Sequence, residues 1–331
     1  MMRVGTGSRG ALDAVLAALA RRRDLEGRLG AVLRLRGYSE VAVPLLQPPA
    51  GDADWAPAYR VLDRDGSLLE LRPDVTGPVA RLCALGDAGG PRPRRLYYQA
   101  SIFRQMPGAG PREIAQAGAE RIGGAADEAG RVAADAEVLA LVAECLEAAG
   151  AERFLLALGH SAYVDERLEA LGAPLAAARA ALQRRDLVAL GYLAPSAGPE
   201  LAWRGSLAEA LTDGLVGEGP AAAQWRELLG HLRRLGLESR ILVEPGLLLP
   251  GGYYSGMVFE VLVPGVPWPV GDGGRYDGLL ARWGAAEPAV GFALDTDRLL
   301  RALDGEAPGE GTRRAWAAVR GPDRAGGGGR A

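Results

Sequence analysis

The run RRLYYQASIFR ends at Arg104, and after a Gly/Pro loop a second strand-like run brings Arg112, Gln116 and Glu120. Folded as a hairpin, these strands set a guanidinium against polar side chains of the neighbouring strand. A guanidinium so placed grips a carboxylate or a phosphate through two parallel N–H···O bonds. The chain has no lysine, so all 38 basic residues are arginine. A lysine-bearing phosphate loop and a Schiff-base lysine are therefore excluded. Cys83 and Cys145 lie far apart in apolar surroundings, without CxxC or zinc spacing, and are expected to be buried free thiols in a reducing compartment. His160 and His231 are too few for a histidine-rich metal site, and His160 reads as a structural histidine at a strand end. No metal and no cofactor is expected. A net charge of −3 and a pI near 5.7 argue against a chain built to coat nucleic acid.

Elements that would position these groups are legible in the hydrophobic pattern. The chain has 331 residues, 48% of them hydrophobic, enough for a sizeable core. Apolar residues at helical spacing predict a helix over 11–37, stopped by Gly37, and then a strand, YSEVAVPLL, over 38–46. Strands are expected at 59–63 and 67–74, a short helix at 77–85, and the hairpin strands from 94 and 112. An alanine-rich helix over 126–149 leads to an apolar strand, 153–159. Residues 161–236 read as helical throughout, strands return at 239–244, 254–263 and 270–273, and AVGFALDTDRLLRAL at 289–303 looks helical. The expectation is an α+β fold: a core of residues 1–160 and 237–303 interrupted by a helical insertion at 161–236, with a mobile tail over 304–331. No apolar run approaches the roughly 20 residues of a membrane span. A cytoplasmic protein with no membrane contact is expected.

Four segments, in order, resemble the histidyl-tRNA synthetase family of class II aminoacyl-tRNA synthetases. They are LRPDVTGPVARL at 71–82, the hairpin at 94–120 (motif 2), GGYYSGMVFEV at 251–261, and GDGGRYDGLL followed by AVGFALDTDRLL (motif 3). The likeness covers most of residues 11–303 and implies an antiparallel sheet flanked by helices, with a pocket for free histidine. By position, Asp74 and Thr76 would meet the ligand's amino end and Arg104 its carboxylate. Gln116 and Glu120 would line the pocket, and Tyr254 and Tyr276 would reach the imidazole. Tyr253 and Phe259 read as core residues.

Three positions depart from the family where ATP chemistry would be carried. Leu249 stands where the family has the arginine of Val-Arg-Gly-Leu-Asp-Tyr-Tyr, and loss of such a clamp costs roughly 10²–10³ in rate. Met106 replaces the glutamate of Phe-Arg-x-Glu. Asp295 replaces the second glycine of Gly-Phe-Ala-x-Gly-x-Glu-Arg, and Asp297 its glutamate, although Arg298 remains. A carboxylate where polyphosphate should approach is bulky and repulsive. The stretch beyond 303 is too short and too polar for the family's anticodon-binding domain, so no contact with tRNA is expected.

One group of synthetase paralogues keeps the pocket and lacks aminoacylation: the regulatory subunits of short-form bacterial ATP phosphoribosyltransferase. LGHSAYVDERLEALG at 158–172 and ALQRRDLVAL at 181–190 resemble segments of that group. The resemblance implies a non-catalytic subunit that assembles with the short catalytic subunit, enabling the first step of histidine biosynthesis and its feedback inhibition by histidine. It also implies self-association as a dimer through the 11–46 helix and strand. The alternative is a truncated or divergent histidyl-tRNA synthetase-like enzyme that activates an amino acid.

Overall fold

A computed structural model describes residues 9–49, 58–86, 90–105, 112–125, 127–212 and 218–305. Helix α1 (Arg9–Leu35) is followed by short strands β1 (Ser39–Glu40) and β2 (Leu46–Gln47), the hairpin β3 (Arg60–Leu62) and β4 (Leu68–Leu71), and helix α2 (Thr76–Leu85). Two long strands, β5 (Arg94–Phe103) and β6 (Glu113–Ile122), precede helix α3 (Glu128–Ala149) and strand β7 (Leu155–His160). Then come α4 (Ser161–Ala170), α5 (Leu175–Gln183), α6 (Leu187–Leu193), α7 (Gly198–Leu201), strand β8 (Gly205–Ser206), α8 (Leu207–Thr212) and α9 (Pro220–Arg234). Strands β9 (Ile241–Val243), β10 (Met257–Leu262), β11 (Gly271–Arg275) and β12 (Ala289–Asp295) lead into helix α10 (Thr296–Leu303).

Nine strands form one sheet in the order β1-β5-β6-β12-β11-β10-β7-β9-β8. Its pairings from β5 through β7 are antiparallel, while β1–β5 and β7–β9 are parallel. A second, three-stranded sheet has the order β2-β4-β3. Alternation along β6 decides what lies on each face. Ala117 and Ala119 pack with Leu25, Leu29 and Leu33 of α1 and with the apolar positions of α3. Ile114 and Ile122 point the other way and join Val75 and Val79 near α2 in a smaller cluster. Gln116 and Glu120 share that second face. In α1 the buried leucines recur every four residues, whereas Leu12, Leu16 and Leu19 nearer its start are exposed.

The segment over 161–236 is not helical throughout, because β8 pairs with β9 and extends the main sheet. Its helices also share the main apolar cluster: Tyr163 and Trp225 are fully buried together with Leu156 and Phe259. His160 caps α4, its Nδ1 accepting the Tyr163 N–H at 3.2 Å. Burial lowers the His160 pKa to about 4, so the ring is neutral at pH 7.

Two expectations need correction. The strand over 38–46 exists only at its ends, in β1 and β2. Between them the backbone changes partner, from Val41 N–H donating to Tyr97 O to Leu45 O accepting from Arg72 N–H, and Pro44, which has no N–H, sits in the crossover. The stretch 289–303 is strand β12 followed by helix α10. β12 is buried on both faces, so its apolar run lacks the alternation that marks a half-exposed strand. The tail beyond 305 lies outside the described residues.

Candidate functional site

Four pieces of chain meet on the α2 side of the sheet around one cleft: the start of α2, the β5–β6 hairpin, the Tyr253–Tyr254 loop before β10, and the paired strands β11 and β12. Asp74, Thr76, Arg104, Gln116, Tyr254 and Tyr276 all line it. The register explains why there is room. Tyr98 lies opposite Gly118, Ala293 is opposite Gly118 and Asp272, and Glu120 is opposite Gly291. A Cβ on Gly118 would strike the Tyr98 hydroxyl, and one on Gly291 would strike the Glu120 carboxylate. Behind the cleft, a Cβ on Gly273 would come within 2.8 Å of the Phe259 ring. The walls close to an inner cavity of about 40 Å³. The inner cavity has room for a water, and a larger ligand requires the walls to part.

Glu120 is 1% exposed and sits just behind the lining. Its Oε1 accepts from Thr76 Oγ1 at 2.7 Å and its Oε2 accepts from the Tyr276 hydroxyl. Desolvation outweighs these bonds and raises the Glu120 pKa to about 7. Asp74 is half-buried, and its Oδ1 accepts the Gly77 N–H at 2.7 Å, capping α2. Desolvation raises Asp74 to about 6, opposed by that N–H and by Arg104. Arg104 donates from Nε to Pro73 O at 2.8 Å, while its terminal nitrogens make no hydrogen bond to a described residue. The Gln116 amide likewise has no partner among the described residues. Tyr253, read as a core residue, packs against the smaller apolar cluster and also lines the cleft. Its hydroxyl stands 3.3 Å from that of Tyr254, and its ring meets Tyr276 edge-on at 6.0 Å. Phe259 is in the core as expected.

The cleft thus joins a part-anchored guanidinium and a side-chain amide to carboxylates and phenols, a set suited to a small zwitterion with a polar ring. The family model described as Histidyl-tRNA synthetase matches residues 10–299. The ATP phosphoribosyltransferase regulatory subunit of Moorella thermoacetica is 40% identical, over 90% of this chain and 82% of its own length. Its counterpart of the same name in Symbiobacterium thermophilum is 37% identical, over 89% and 79%. The chain belongs to this family of ATP phosphoribosyltransferase regulatory subunits, built on a histidyl-tRNA synthetase-like core. Among solved structures, the ATP phosphoribosyltransferase regulatory subunit/histidyl-tRNA synthetase of Bacillus halodurans C superposes with a TM-score of 0.76 at 29% identity, covering 87% of this chain and 80% of that one. Apo S. aureus histidyl-tRNA synthetase shares the class II fold, with a TM-score of 0.59 at 22% identity, over 92% and 71%.

The departures from the synthetase pattern have structural places of their own. Leu249 is buried in an apolar cluster with Leu155, Ala157 and Val258, against which Tyr254 packs. Asp295 caps α10 by accepting the Arg298 N–H at 2.9 Å, and its Oδ2 pairs with Arg298 Nε at 2.9 Å. Arg298 also donates to Pro269 O at 3.1 Å. Met106 lies outside the described residues.

Sequence reasoning missed three contributors. Tyr98 and Asp272 line the cleft; both stand in the quoted segments, but only the strand register puts them on the cleft face. Arg275 is buried, bonding Asp135 through two nitrogens, at 3.2 and 2.6 Å, and Asp277 at 2.8 Å. This ties β11 to α3 and fixes the strand end from which Tyr276 enters the cleft. Its sequence signal was the Arg275-Tyr276-Asp277 run itself, which carries charge next to a glycine-rich strand. Cys83 and Cys145 are buried free thiols. Among the described residues no helix is long and apolar enough to cross a membrane, and no group of three or more His, Cys, Asp or Glu could hold a metal ion.

Proposed function

We propose that this chain is the non-catalytic regulatory subunit of ATP phosphoribosyltransferase. It acts with a short catalytic subunit at the first step of histidine biosynthesis and senses histidine in the cleft. In this reading Arg104 takes the ligand carboxylate with its terminal nitrogens, and Gln116 hydrogen-bonds nearby. Glu120, Tyr254 and Tyr276 face the imidazole. Asp74 and Thr76 close the α2 end.

The observation that carries the non-catalytic part is the Asp295–Arg298 pair. The motif 3 arginine is held by its own cap residue and by Pro269 O, rather than standing free for a phosphate. Leu249 supports the same reading, because an apolar cluster fills the place where a second guanidinium would be needed. Regulation then works by linkage: histidine shifts the assembly toward the state that binds it better, by no more than its differential affinity.

The test has two arms. Mixing the chain with a short ATP phosphoribosyltransferase is expected to give a complex with higher transferase activity that histidine inhibits. Histidine-dependent pyrophosphate exchange with ATP is expected to be absent. Robust exchange would favour the divergent synthetase reading, and failure to assemble would remove the regulatory one.

A further inference from the structure

Asp272 sits in the middle of the sheet, within GDGGRYDGLL, and has been given no role above. It is opposite Ala293 of β12 and Glu260 of β10, so its side chain shares the cleft face and lines the cavity beside Arg104. Its carboxylate makes no hydrogen bond or ion pair with a described residue. Glu260, the like charge directly opposite, is itself paired with Arg185 at 2.5 Å. The side chain reaches solvent through the cleft mouth, yet the walls crowd it enough for desolvation to raise its pKa, with Arg104 the foremost opposing charge.

Asp74 is in a different state. One of its oxygens is committed to the Gly77 N–H, so its geometry is fixed by helix α2. An α-amino acid carries its ammonium one carbon from its carboxylate. If Arg104 holds the carboxylate, the ammonium must find an acceptor close to Arg104, and a carboxylate with open valences is the stronger one.

We infer that Asp272 is the specificity-determining residue of the cleft, accepting the ligand's α-ammonium while Arg104 holds its α-carboxylate. This rests on the reading of the cleft as an amino-acid pocket and goes beyond it by assigning the ammonium to Asp272 rather than to Asp74. The chemical consequence is selection for zwitterions. An acid of the same shape without the ammonium leaves Asp272 unpaired, and a phosphate or nucleotide meets its repulsion.

Calorimetry on the full chain tests this with two probes, L-histidine and imidazole propionate, which lacks only the amino group. Wild type is expected to prefer histidine. In Asp272→Asn that preference falls by roughly tenfold or more, because histidine weakens while imidazole propionate binds as well as before or better. Retained binding of imidazole propionate shows that the variant pocket is folded. Asp74→Asn, which keeps the oxygen that accepts the Gly77 N–H, is expected to keep the preference. An unchanged preference in Asp272→Asn, or its collapse in Asp74→Asn alone, overturns the assignment and leaves the amino-acid pocket standing. Absence of histidine binding by wild type overturns both.

Discussion

Two places on one face of the sheet set arginine against carboxylate, and they use the pair differently. In the cleft, Arg104 is anchored through Nε, and neither its terminal nitrogens nor Asp272 nor the Gln116 amide carries a bond to a described residue. At the β12–α10 corner, Asp295 and Arg298 satisfy each other and a helix terminus. Asp295 is opposite Gln116 in the register, so the open and closed arrangements are neighbours. Residue type alone does not separate a binding group from a structural one. What separates them is whether the hydrogen-bonding capacity is already filled by the fold.

The comparison can be broken most forcefully through the buried anchor that holds the cleft strand. Arg275→Ala leaves Asp135 buried without its partner and is expected to destabilise the chain by about 3–5 kcal/mol in urea unfolding. A loss below about 1 kcal/mol would show that β11 is positioned by packing instead. Within the cleft, Glu120→Ala removes the acceptor of both Thr76 and Tyr276, and histidine affinity is expected to fall by about 10- to 100-fold in calorimetry. Unchanged binding would place the ligand elsewhere. At the closed corner, Asp295→Ala removes a helix cap and an ion pair and is expected to cost about 1 kcal/mol, leaving histidine affinity unaltered. A large loss of affinity there would erase the distinction between the two places.

The subtlest test is the pH dependence of stability. Glu120 rises from its ordinary 4.5 to about 7 on folding, so between those values the native state binds more protons than the unfolded chain. Its contribution is complete below about pH 4.5 and is lost as pH rises through about 7. His160 has the opposite sign. Its pKa falls from 6.5 to about 4, so its contribution is present above about 6.5 and is lost as pH falls through about 4. The difference between wild type and Glu120→Gln isolates the first effect, and urea midpoints should show it shrinking from pH 4.5 to 7. A flat difference would mean that Glu120 is ionised throughout that range.

Much of this was legible in the sequence because the pattern was periodic or punctuated. The β5–β6 hairpin shows its two strands and its Gly/Pro loop, and α1 and α3 show helical spacing. The order of the four motifs placed Asp74, Thr76, Arg104, Gln116, Tyr254 and Tyr276 around one cleft before any coordinates. The misreadings came where burial removes periodicity or where partners are remote. β12 is buried on both faces and looks like the helix that follows it. Tyr253 carries the same aromatic character whether it faces the core or the cleft. Asp272 is a single carboxylate between glycines, and its meaning depends on the strands beside it.

Gly273 also has a mechanical meaning. Its bare Cα lets the Phe259 ring lie against the back of the strand that forms the cleft. Phe259 in turn belongs to the same apolar cluster as Tyr163 and Trp225 of the helical segment. Close-packed interiors have low compressibility and pass displacement on rather than absorbing it. Whatever parts the aromatic walls of the cleft therefore bears on one continuous apolar interior that reaches the helices of residues 161–236.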